Sequence, residues 1–411
     1  MVTFLFGVFL FALGIAVTIA LHEWGHMQAA RMFGMRVRRY FIGFGPTVWS
    51  TTRKHAGGGG HVTEYGLKAV PLGGFCDIAG MTAQDPVAPE EEQHAMWRRP
   101  WWQRIAVLSG GVAMNLVVGV VLIYIVAVAW GLPNMNADFS PRVQATQCVP
   151  ATQNPDGTLS ECTGTGPAGD AGLRAGDVIT SVNGTAVETY PEVIEEVGSS
   201  ESGPIEFTVD RAGTTATIVV EPEVVERRTN SGAIAQTAAV GVLFERPQNT
   251  LNEFTPLTAV PGALAFTGDM FGAVWDGLLS IPSKVPGVVA SIFGAERDQE
   301  SPMSVVGASR VGGEMVENDM WSGFLMMLAN LNFFLALFNL VPLPPLDGGH
   351  IAVVVYEKLR DFFRRLAGKP AIGPADYTRL MPVTMAFTAV LLTFGVIVIA
   401  ADVVNPIRLF G

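Results

Sequence analysis

Apolar residues are concentrated in four long stretches of the chain, with polar and charged residues between them. The stretches run from Phe4 to Leu21, from Ile105 to Trp130, from Met320 to Val341 and from Met381 to Ala401. A helix that crosses a bilayer needs about 20 consecutive, mostly apolar residues. The pattern therefore predicts a polytopic α-helical membrane protein with four transmembrane helices.

The first apolar stretch could also be a signal peptide that is cleaved from the mature protein. It lacks the basic residues that open a signal peptide, and it lacks a small-residue cleavage site. It also runs directly into charged and polar residues. We therefore expect it to be retained as the first span.

The composition supports a membrane protein with a water-soluble part. Of the 411 residues, 49% are hydrophobic and 15% are charged, whereas a soluble domain has about 25% charged residues. The net charge of −11 argues against a nucleic-acid partner. Three cysteines are too few for a disulfide-stapled scaffold.

The distribution of basic residues predicts the orientation in the membrane. Lys and Arg are concentrated between the first and second spans and between the third and fourth, whereas residues 131–319 contain nine basic and 25 acidic residues. Because basic loops stay on the cytoplasmic side, the two basic segments should be cytoplasmic. The long acidic loop and both termini should then be extracytoplasmic.

The outer loop contains a small globular domain, predicted from about Ala145 to Phe244. Its alternating apolar residues are typical of strands, for example at Ile205–Val209 and Thr217–Val220. Cys148 and Cys162 lie in the same loop and could form a disulfide in an oxidising compartment.

Two further segments are too apolar for free loops and too interrupted for transmembrane helices. Residues 40–80 are rich in glycine and weakly alternating, which predicts membrane-associated β-hairpins on the cytoplasmic side. An exposed edge of these hairpins could pair with an extended substrate segment, or the hairpins could serve only to pack. Residues 254–293 are apolar but contain four prolines, which favours helices lying at the outer membrane interface.

The sharpest chemical signal lies at the end of the first apolar stretch, where the sequence reads His22-Glu23-Trp24-Gly25-His26. Histidines at i and i+4 lie on one helical face about one turn apart, so both imidazoles can bind one metal ion. A carboxylate between them suits the general base of a zinc site that activates water. Ionisable residues are costly in a membrane span, so they indicate a functional site.

A catalytic zinc site usually has three protein ligands, so a third ligand should lie at the same membrane depth. The third span runs in the same direction as the first, and Asp347 follows its predicted cytoplasmic end. Three prolines between 342 and 345 should stop the helix and turn the Asp347 carboxylate toward the metal. His350 is a competing ligand, which we interpret instead as a histidine at a helix start. The remaining histidines lie in polar cytoplasmic stretches and are expected on the surface: His55, His61 and His94.

Together these motifs resemble the site-2 protease family, the intramembrane zinc metalloproteases of peptidase family M50. The HExxH motif and Asn339-Leu-Val-Pro-Leu-Pro-Pro-Leu-Asp347-Gly match two signatures of that family. Gly43-Phe-Gly-Pro46 and Pro71-Leu-Gly-Gly74 extend the likeness, which covers nearly the whole chain. The sequence resembles the bacterial branch that carries an extracytoplasmic PDZ domain and includes the regulator of sigma-E protease.

The outer domain carries a resemblance of its own. Residues Gly166–Gly184 look like the PDZ domains of bacterial membrane-associated proteases. In such a domain Ala171-Gly172-Leu173 would open a short helix, Gly176–Ile179 would form the next strand, and Asn183-Gly184 would supply a turn that tolerates positive φ. A PDZ domain binds an extended peptide by strand addition, and a spacer that only blocks access is the alternative.

The family likeness implies a role for each residue of the two zinc motifs. His22, His26 and Asp347 would hold Zn²⁺, and Glu23 would act as the general base. Asn339 matches the family asparagine on the third span. It would bind the substrate backbone or the developing oxyanion, unless it only ties two spans together.

The second span carries a third, less complete match. Gly111-Val-Ala-Met-Asn115 corresponds to the family's Gly-Pro-x-x-Asn, with Val112 in place of the proline. The replacement puts the local helix kink in doubt. Asn115 is still implied as a substrate-positioning residue.

The resemblance implies hydrolysis of a peptide bond within the membrane span of a single-span regulator such as an anti-sigma factor. Cleavage would follow trimming of the substrate's outer domain, as in regulated intramembrane proteolysis for stress signalling. The protein would be a multi-pass protein of the bacterial inner membrane, with the bilayer and a PDZ-bound peptide as further partners. A catalytically silent receptor that binds peptides through its PDZ domain is the alternative.

These interpretations divide the chain into eight segments. The active site should lie at the cytoplasmic ends of the first and third spans. The segments are 1–39 (first span), 40–104 (membrane-associated β region), 105–131 (second span), 132–248 (PDZ domain), 249–319 (interfacial helices), 320–350 (third span with Asp347), 351–380 (basic cytoplasmic loop) and 381–411 (fourth span and tail).

Overall fold

The computed structural model describes residues 1–54, 62–82, 84–134, 136–152, 159–200, 203–228, 234–247 and 249–409. His55, His61 and the glycine run 57–60 of the predicted hairpins lie outside these ranges. The chain divides into two units. The first comprises Met1–Leu132 and Glu253–Ile407, and the second comprises Pro133–Asn252 with the chain end from Arg408.

Long helices and one long β-hairpin make up most of the first unit, and short strands predominate in the second. The helices are α1 (Val2–Met32), α2 (Trp101–Leu108), α3 (Gly110–Ala129), α4 (Gly166–Asp170), α5 (Tyr190–Ser199), α6 (Ala259–Ile292), α7 (Val305–Glu317), α8 (Trp321–Asn339), α9 (Asp347–Leu366) and α10 (Met381–Val404). The strands are β1 (Val37–Lys54), β2 (Val62–Ile78), β3 (Leu132–Pro133), β4 (Val143–Thr146), β5 (Val178–Val182), β6 (Thr185–Ala186), β7 (Ile205–Arg211), β8 (Thr214–Val220), β9 (Glu223–Arg228), β10 (Ile234–Ala239), β11 (Val242–Phe244) and β12 (Leu251–Asn252).

Four helices are long and apolar enough to cross a membrane, which confirms the number predicted from the sequence. They are α1, α3, α8 and the segment Tyr377–Val404 that contains α10. Large apolar side chains such as Phe9 and Leu392 remain exposed on them, as expected of surfaces that face lipid. Helix α1 continues beyond the predicted span to Met32, so its two histidines lie within the helix.

The second span is shorter than predicted, because the apolar stretch from Ile105 to Trp130 is divided between two helices. Helix α2 ends at Leu108, and α3 begins at Gly110. Two glycines follow Ser109, and each glycine destabilises a helix interior by about 1 kcal/mol. The glycines also permit a close helix crossing, because a Cβ atom at Gly110 would lie 2.6 Å from the carbonyl oxygen of Gly25.

The segment predicted as a basic cytoplasmic loop also requires correction. Its first part belongs to the 20-residue helix α9, which starts at Asp347 and ends at Leu366. Val353, Val354 and Glu357 are buried at helical spacing, so one face of α9 packs against the protein. In the sequence, the high charge of this segment hides the helical spacing of its apolar residues.

Residues 254–293, predicted as interfacial helices, contain the single long helix α6. Pro261 lies in its first turn, where the missing N–H has no helical partner to lose. Pro282 and Pro286 lie inside the helix without ending it. Helix α6 packs on α3 and α8 through a buried cluster that includes Ile123 and Phe333.

The glycine-rich segment forms one hairpin of β1 and β2 whose strands fold back on themselves. Residues 39–42 of β1 pair with residues 74–77 of β2 on one side and with residues 64–67 on the other. Residues 47–54 pair with residues 62–68. Within the described residues, the segment 74–77 therefore has an open backbone edge.

One buried apolar cluster joins the elements around the two histidines of α1. Met27 of α1, Val37 and Ile78 of the hairpin, Val107 of α2 and Val354 of α9 all contribute to it. Tyr40 further attaches the hairpin to α1, because its hydroxyl donates a hydrogen bond of 2.6 Å to the carbonyl oxygen of Ala20. These contacts hold the hairpin, α2 and α9 against the same part of α1.

The second unit is built around a four-stranded sheet with the strand order β6-β5-β7-β8. Its apolar core contains Ile179, Val193 of α5, Phe207 and Val220. Cys148 and Cys162 form a disulfide.

The predicted details of the stretch 166–184 are partly wrong. The short helix is α4, which ends at Asp170, so Ala171 to Leu173 follow it. Gly172 has a φ of +96°, which a helix cannot accommodate. The strand begins at Val178, while Asn183 has the positive φ of +50° expected for the turn.

Candidate active site

Three side chains from two distant parts of the sequence meet within the first unit. The Nε2 atoms of His22 and His26 lie 3.1 Å apart. Oδ2 of Asp347 lies 3.2 Å from Nε2 of His22 and 3.3 Å from Nε2 of His26. These are the three candidate ligand atoms predicted from the motifs, and they form a nearly equilateral triangle.

The triangle fits the geometry of a zinc site. Ligand atoms about 2.0–2.1 Å from a tetrahedral ion are about 3.3 Å from one another. Oδ2 of Asp347 is buried and has no hydrogen-bond partner within the described ranges, which is costly unless a cation binds it. Two imidazoles and one carboxylate also leave the fourth position open, as in catalytic zinc sites.

Backbone contacts fix the orientation of His26. Its Nδ1 atom lies 2.8 Å from the carbonyl oxygen of Val107, so this nitrogen carries the proton and donates it. The lone pair of Nε2 is then directed at the metal position. Val107 is the next-to-last residue of α2, just before the break between α2 and α3.

The prolines and glycines around Asp347 explain how a residue beyond α8 reaches the site. Helix α8 ends at Asn339, before the prolines, and α9 starts at Asp347. A Cβ atom at Gly349 would lie 2.6 Å from the backbone of Leu343 and Pro344. The glycines therefore let the first turn of α9 pack closely on the proline-rich turn.

Glu23 lies beside the edge segment of β2. A Cβ atom at Gly74 would lie 3.2 Å from Cγ of Glu23, and the Glu23 carboxylate interacts with the backbone of Cys76. The candidate general base therefore lies between the metal triangle and an open strand edge. This arrangement places a carboxylate next to the position where an extended peptide could bind.

Helix α3 contributes two features on the same side of the site. A Cβ atom at Gly111 would lie within 3.0 Å of Nε2 of both His22 and His26. Asn115, one turn along, is fully buried, and neither atom of its amide has a hydrogen-bond partner in the described structure. An unsatisfied buried amide is a group available to a ligand.

The other predicted residues do not belong to the group of three candidate ligands. Asn339 is the half-buried last residue of α8. His350 stacks on Tyr377, with its Nδ1 atom 3.3 Å from the Tyr377 hydroxyl, and burial lowers its pKa. His94 is half-buried, and its Nδ1 atom lies 3.0 Å from the carbonyl oxygen of Gly34, so it is not the plain surface residue expected.

Sequence reasoning missed a polar pair within the spans. Asn332 of α8 is fully buried and donates a hydrogen bond of 3.2 Å to the hydroxyl of Thr18 on α1. Thr18 precedes His22 by one helical turn. The available signal was an asparagine in the middle of an apolar span, since amides in a membrane span need a partner.

Comparison with known proteins finds likeness along the whole chain. Residues 10–372 match the family described as "Peptidase family M50". The chain is 47% identical over 406 residues to "Zinc metalloprotease Rip1" of Mycolicibacterium smegmatis, with 98% of each chain covered. It is 43% identical over 412 residues to "Zinc metalloprotease Rip1" of Mycobacterium tuberculosis, with 99% of each covered. "Metalloprotease MmpA" of Caulobacter vibrioides is 24% identical over 367 residues, with 85% of each covered.

Proposed function

Since the chain belongs to peptidase family M50, we propose that it cleaves a peptide bond within the transmembrane segment of a single-span membrane protein, with Zn²⁺ as cofactor. The observation that carries this proposal is the triangle of His22, His26 and Asp347, whose two histidines lie on a helix that could span a membrane. Glu23 lies beside the triangle. The site therefore combines three metal ligands, an open fourth position and a carboxylate base.

The chemistry divides between the metal and Glu23. When bound by the three ligands, zinc supplies a Lewis acid that polarises the scissile carbonyl and acidifies water. Glu23 takes a proton from the attacking water and later delivers it to the leaving amine nitrogen. The Nδ1–H of His26 remains on the Val107 carbonyl, so His26 keeps the tautomer that binds the metal.

Substrate binding requires local unwinding, because a helix hides its carbonyl groups in backbone hydrogen bonds. The open edge of residues 74–77 lies beside Glu23 and can pair with an extended segment by strand addition. The buried amide of Asn115 and the side chain of Asn339 are the proposed contacts to the substrate backbone. For Asn339 the alternative role is to tie two spans together.

The active site lies toward the cytoplasmic side in this proposal. The basic segments that follow α1 and α8 place the metal ligands at that end of their helices. Water reaches the site from the same side, and cleavage releases a cytoplasmic fragment. Both termini and the second unit are then extracytoplasmic.

The second unit acts as a PDZ domain that selects substrates. A cavity of about 280 Å³ lies between α5 and the chain from Thr237 to Phe244. Val193 and Val197 of α5 line one wall, and Val242 lines the opposite one. A peptide end exposed by earlier trimming would bind there. The family likeness favours an anti-sigma factor as the substrate.

Cleavage of tagged single-span substrates in membranes tests the function. A panel should contain each substrate at full length and with its outer domain removed. We expect cleavage within the span by the parent, no cleavage by Glu23→Gln, and none after zinc chelation. Glu92→Gln changes an exposed carboxylate and should cleave as the parent does.

Two results would contradict the proposal in different ways. Full activity of Glu23→Gln would exclude Glu23 as the base. Absence of cleavage by the parent, combined with zinc retained in the purified protein, would favour a silent receptor. Peptide binding to the second unit, measured by fluorescence anisotropy, would then identify that receptor function.

A further inference from the structure

Helix α9 exposes a continuous apolar face on the side opposite its buried one. Five large side chains on this face are more than half exposed: Tyr356, Leu359, Phe362, Phe363 and Leu366. Their spacing of three and four residues places them on one stripe of the helix. Exposing an apolar stripe of this size to water would be unfavourable in free energy, so we expect an apolar environment to cover it.

The connections of α9 keep it at the membrane surface. Helix α8 ends eight residues before α9 begins, and the next candidate span starts at Tyr377, eleven residues after α9 ends. Helix α9 itself carries too many charged residues to cross the bilayer. An amphipathic helix held between two spans lies in the interface, with its apolar face in the lipid.

Helix α2 gives an independent marker of depth. Trp101 and Trp102, at the start of α2, are both exposed, and exposed tryptophans are typical of the membrane interface. Nζ of Lys358 on α9 lies 5.9 Å from the ring centroid of Trp101. The buried ion pair of Arg104 and Glu357, at 2.6 Å, clamps the two helices together.

Basic residues border both sides of the apolar stripe, but only those on one side are free to bind an anionic ligand. Arg360 and Arg364 are engaged with backbone carbonyl groups of Gly373 and Pro370. Lys358 and Arg365 lie two turns apart on the other side and are exposed. Neither has a carboxylate partner among the residues that the structure describes.

We propose that α9 lies in the membrane leaflet next to the metal site and that Lys358 and Arg365 bind the headgroups of anionic phospholipids. The stripe inserts among the acyl chains, and the two basic side chains reach up to the phosphate groups. Charge complementarity favours anionic over zwitterionic lipid. This inference concerns lipid binding alone and does not depend on the protease assignment.

Quenching by brominated lipids tests the proposal in nanodiscs that contain phosphatidylcholine and phosphatidylglycerol. An environment-sensitive fluorophore is attached at Phe362→Cys in a Cys76→Ala background. Bromine is carried either by phosphatidylglycerol or by phosphatidylcholine. We expect quenching by both, with a clear preference for brominated phosphatidylglycerol.

Charge variants identify the residues responsible. Lys358→Glu with Arg365→Glu should lower the relative binding constant of phosphatidylglycerol by at least about tenfold, since each basic residue near an anionic surface contributes roughly one decade or a little less. Lys358→Arg with Arg365→Lys should keep the preference. The matched control is Arg174→Glu with Arg246→Glu, which makes the same charge change in the second unit and should also keep it.

Three outcomes would overturn the proposal. Equal quenching by the two lipids in the parent would show lipid contact without anionic selection. No quenching by either lipid would mean that water or a protein partner covers the stripe. Loss of the preference in the second-unit control would assign the effect to net charge rather than to α9.

Discussion

The α-carbon of Gly111 faces Nε2 of His26 so closely that a methyl group on Gly111 would lie within 3.0 Å of it. The same methyl group would crowd Nε2 of His22. Helix α3 is thus packed directly against the metal-binding side of α1. The absence of a side chain at this position leaves the space in which a metal ion and its ligands can fit.

Gly111→Ala should therefore weaken zinc binding more than it weakens the fold. Overpacking costs about 1–3 kcal/mol, which corresponds to about a fivefold to 150-fold loss of zinc affinity. Zinc content after dialysis against a metal buffer measures the effect. Gly395→Ala is the control, because a Cβ atom there meets nothing within 4 Å, and it should bind zinc as the parent does. Unchanged zinc affinity in Gly111→Ala would contradict the packing argument.

The ion pair of Arg104 and Glu357 should stabilise the site by holding together the two helices that contribute to it, α2 and α9. Arg104 lies on α2, which supplies the Val107 carbonyl, and Glu357 lies on α9, which begins at Asp347. Both side chains are buried, with 8% and 9% exposed. Glu357→Ala leaves the guanidinium buried without its partner, so we expect a loss of about 3–5 kcal/mol in unfolding free energy.

Thermal unfolding in detergent, with zinc content as a second readout, tests this expectation. The double variant Arg104→Leu with Glu357→Leu removes both charges and should recover much of the stability lost in Glu357→Ala. Glu92→Ala breaks an exposed ion pair with Arg98 and should change stability by less than about 1 kcal/mol. Equal losses of stability in Glu357→Ala and Glu92→Ala would show that the buried ion pair does not stabilise the packing of α2 and α9.

Much of this architecture was predictable, because the strongest signals are local. A run of apolar residues identifies a span without knowledge of its neighbours, and the i, i+4 spacing of His22 and His26 identifies a shared helical face. The family prediction from these motifs is confirmed. The roles of Glu23 as general base and of Asp347 as metal ligand stay predictions, although the structure brings Asp347 to the two histidines.

The missed features depend on contacts between distant segments. The break at Ser109 reflects the close crossing of Gly25 and Gly110, which no periodicity along one helix reports. The double register of the hairpin depends on how β1 and β2 fold back on one another. Helix α9 was hidden for another reason: its charged residues made a helical pattern look like a basic loop.

The stability of the second unit should depend on pH through Asp177. Arg211 donates two hydrogen bonds of 2.7 Å to this carboxylate, and the backbone N–H of Arg174 donates a third of 2.9 Å. These bonds, chiefly those of Arg211, hold the pKa of Asp177 below its ordinary value. The stabilisation is therefore complete above the unfolded pKa of about 3.9 and is lost as the pH falls through the lower folded value.

Hydrogen exchange of β5 and β7 in the full chain measures this effect, after correction for the intrinsic pH dependence of exchange. Asp177→Asn should lower the free energy of opening by about 1.5–3 kcal/mol at neutral pH. The difference between the parent and Asp177→Asn should shrink as the pH falls below about 4. A difference that stays constant down to pH values well below that range would exclude Asp177 as its source.

The edge of β2 should contact the substrate during cleavage, and disulfide cross-linking can detect the contact. Phe75 lies in the open edge segment beside Glu23, whereas Ser50 lies on the opposite outer segment of the same hairpin. In a Cys76→Ala, Glu23→Gln background, Phe75→Cys should cross-link to a cysteine placed near the scissile bond of a bound substrate. Ser50→Cys should not, because residues 47–54 are separated from the site by two other segments of the hairpin. Cross-linking of similar yield at both positions would indicate loose association, and cross-linking at Ser50→Cys alone would place the substrate on the wrong edge for attack at the metal triangle.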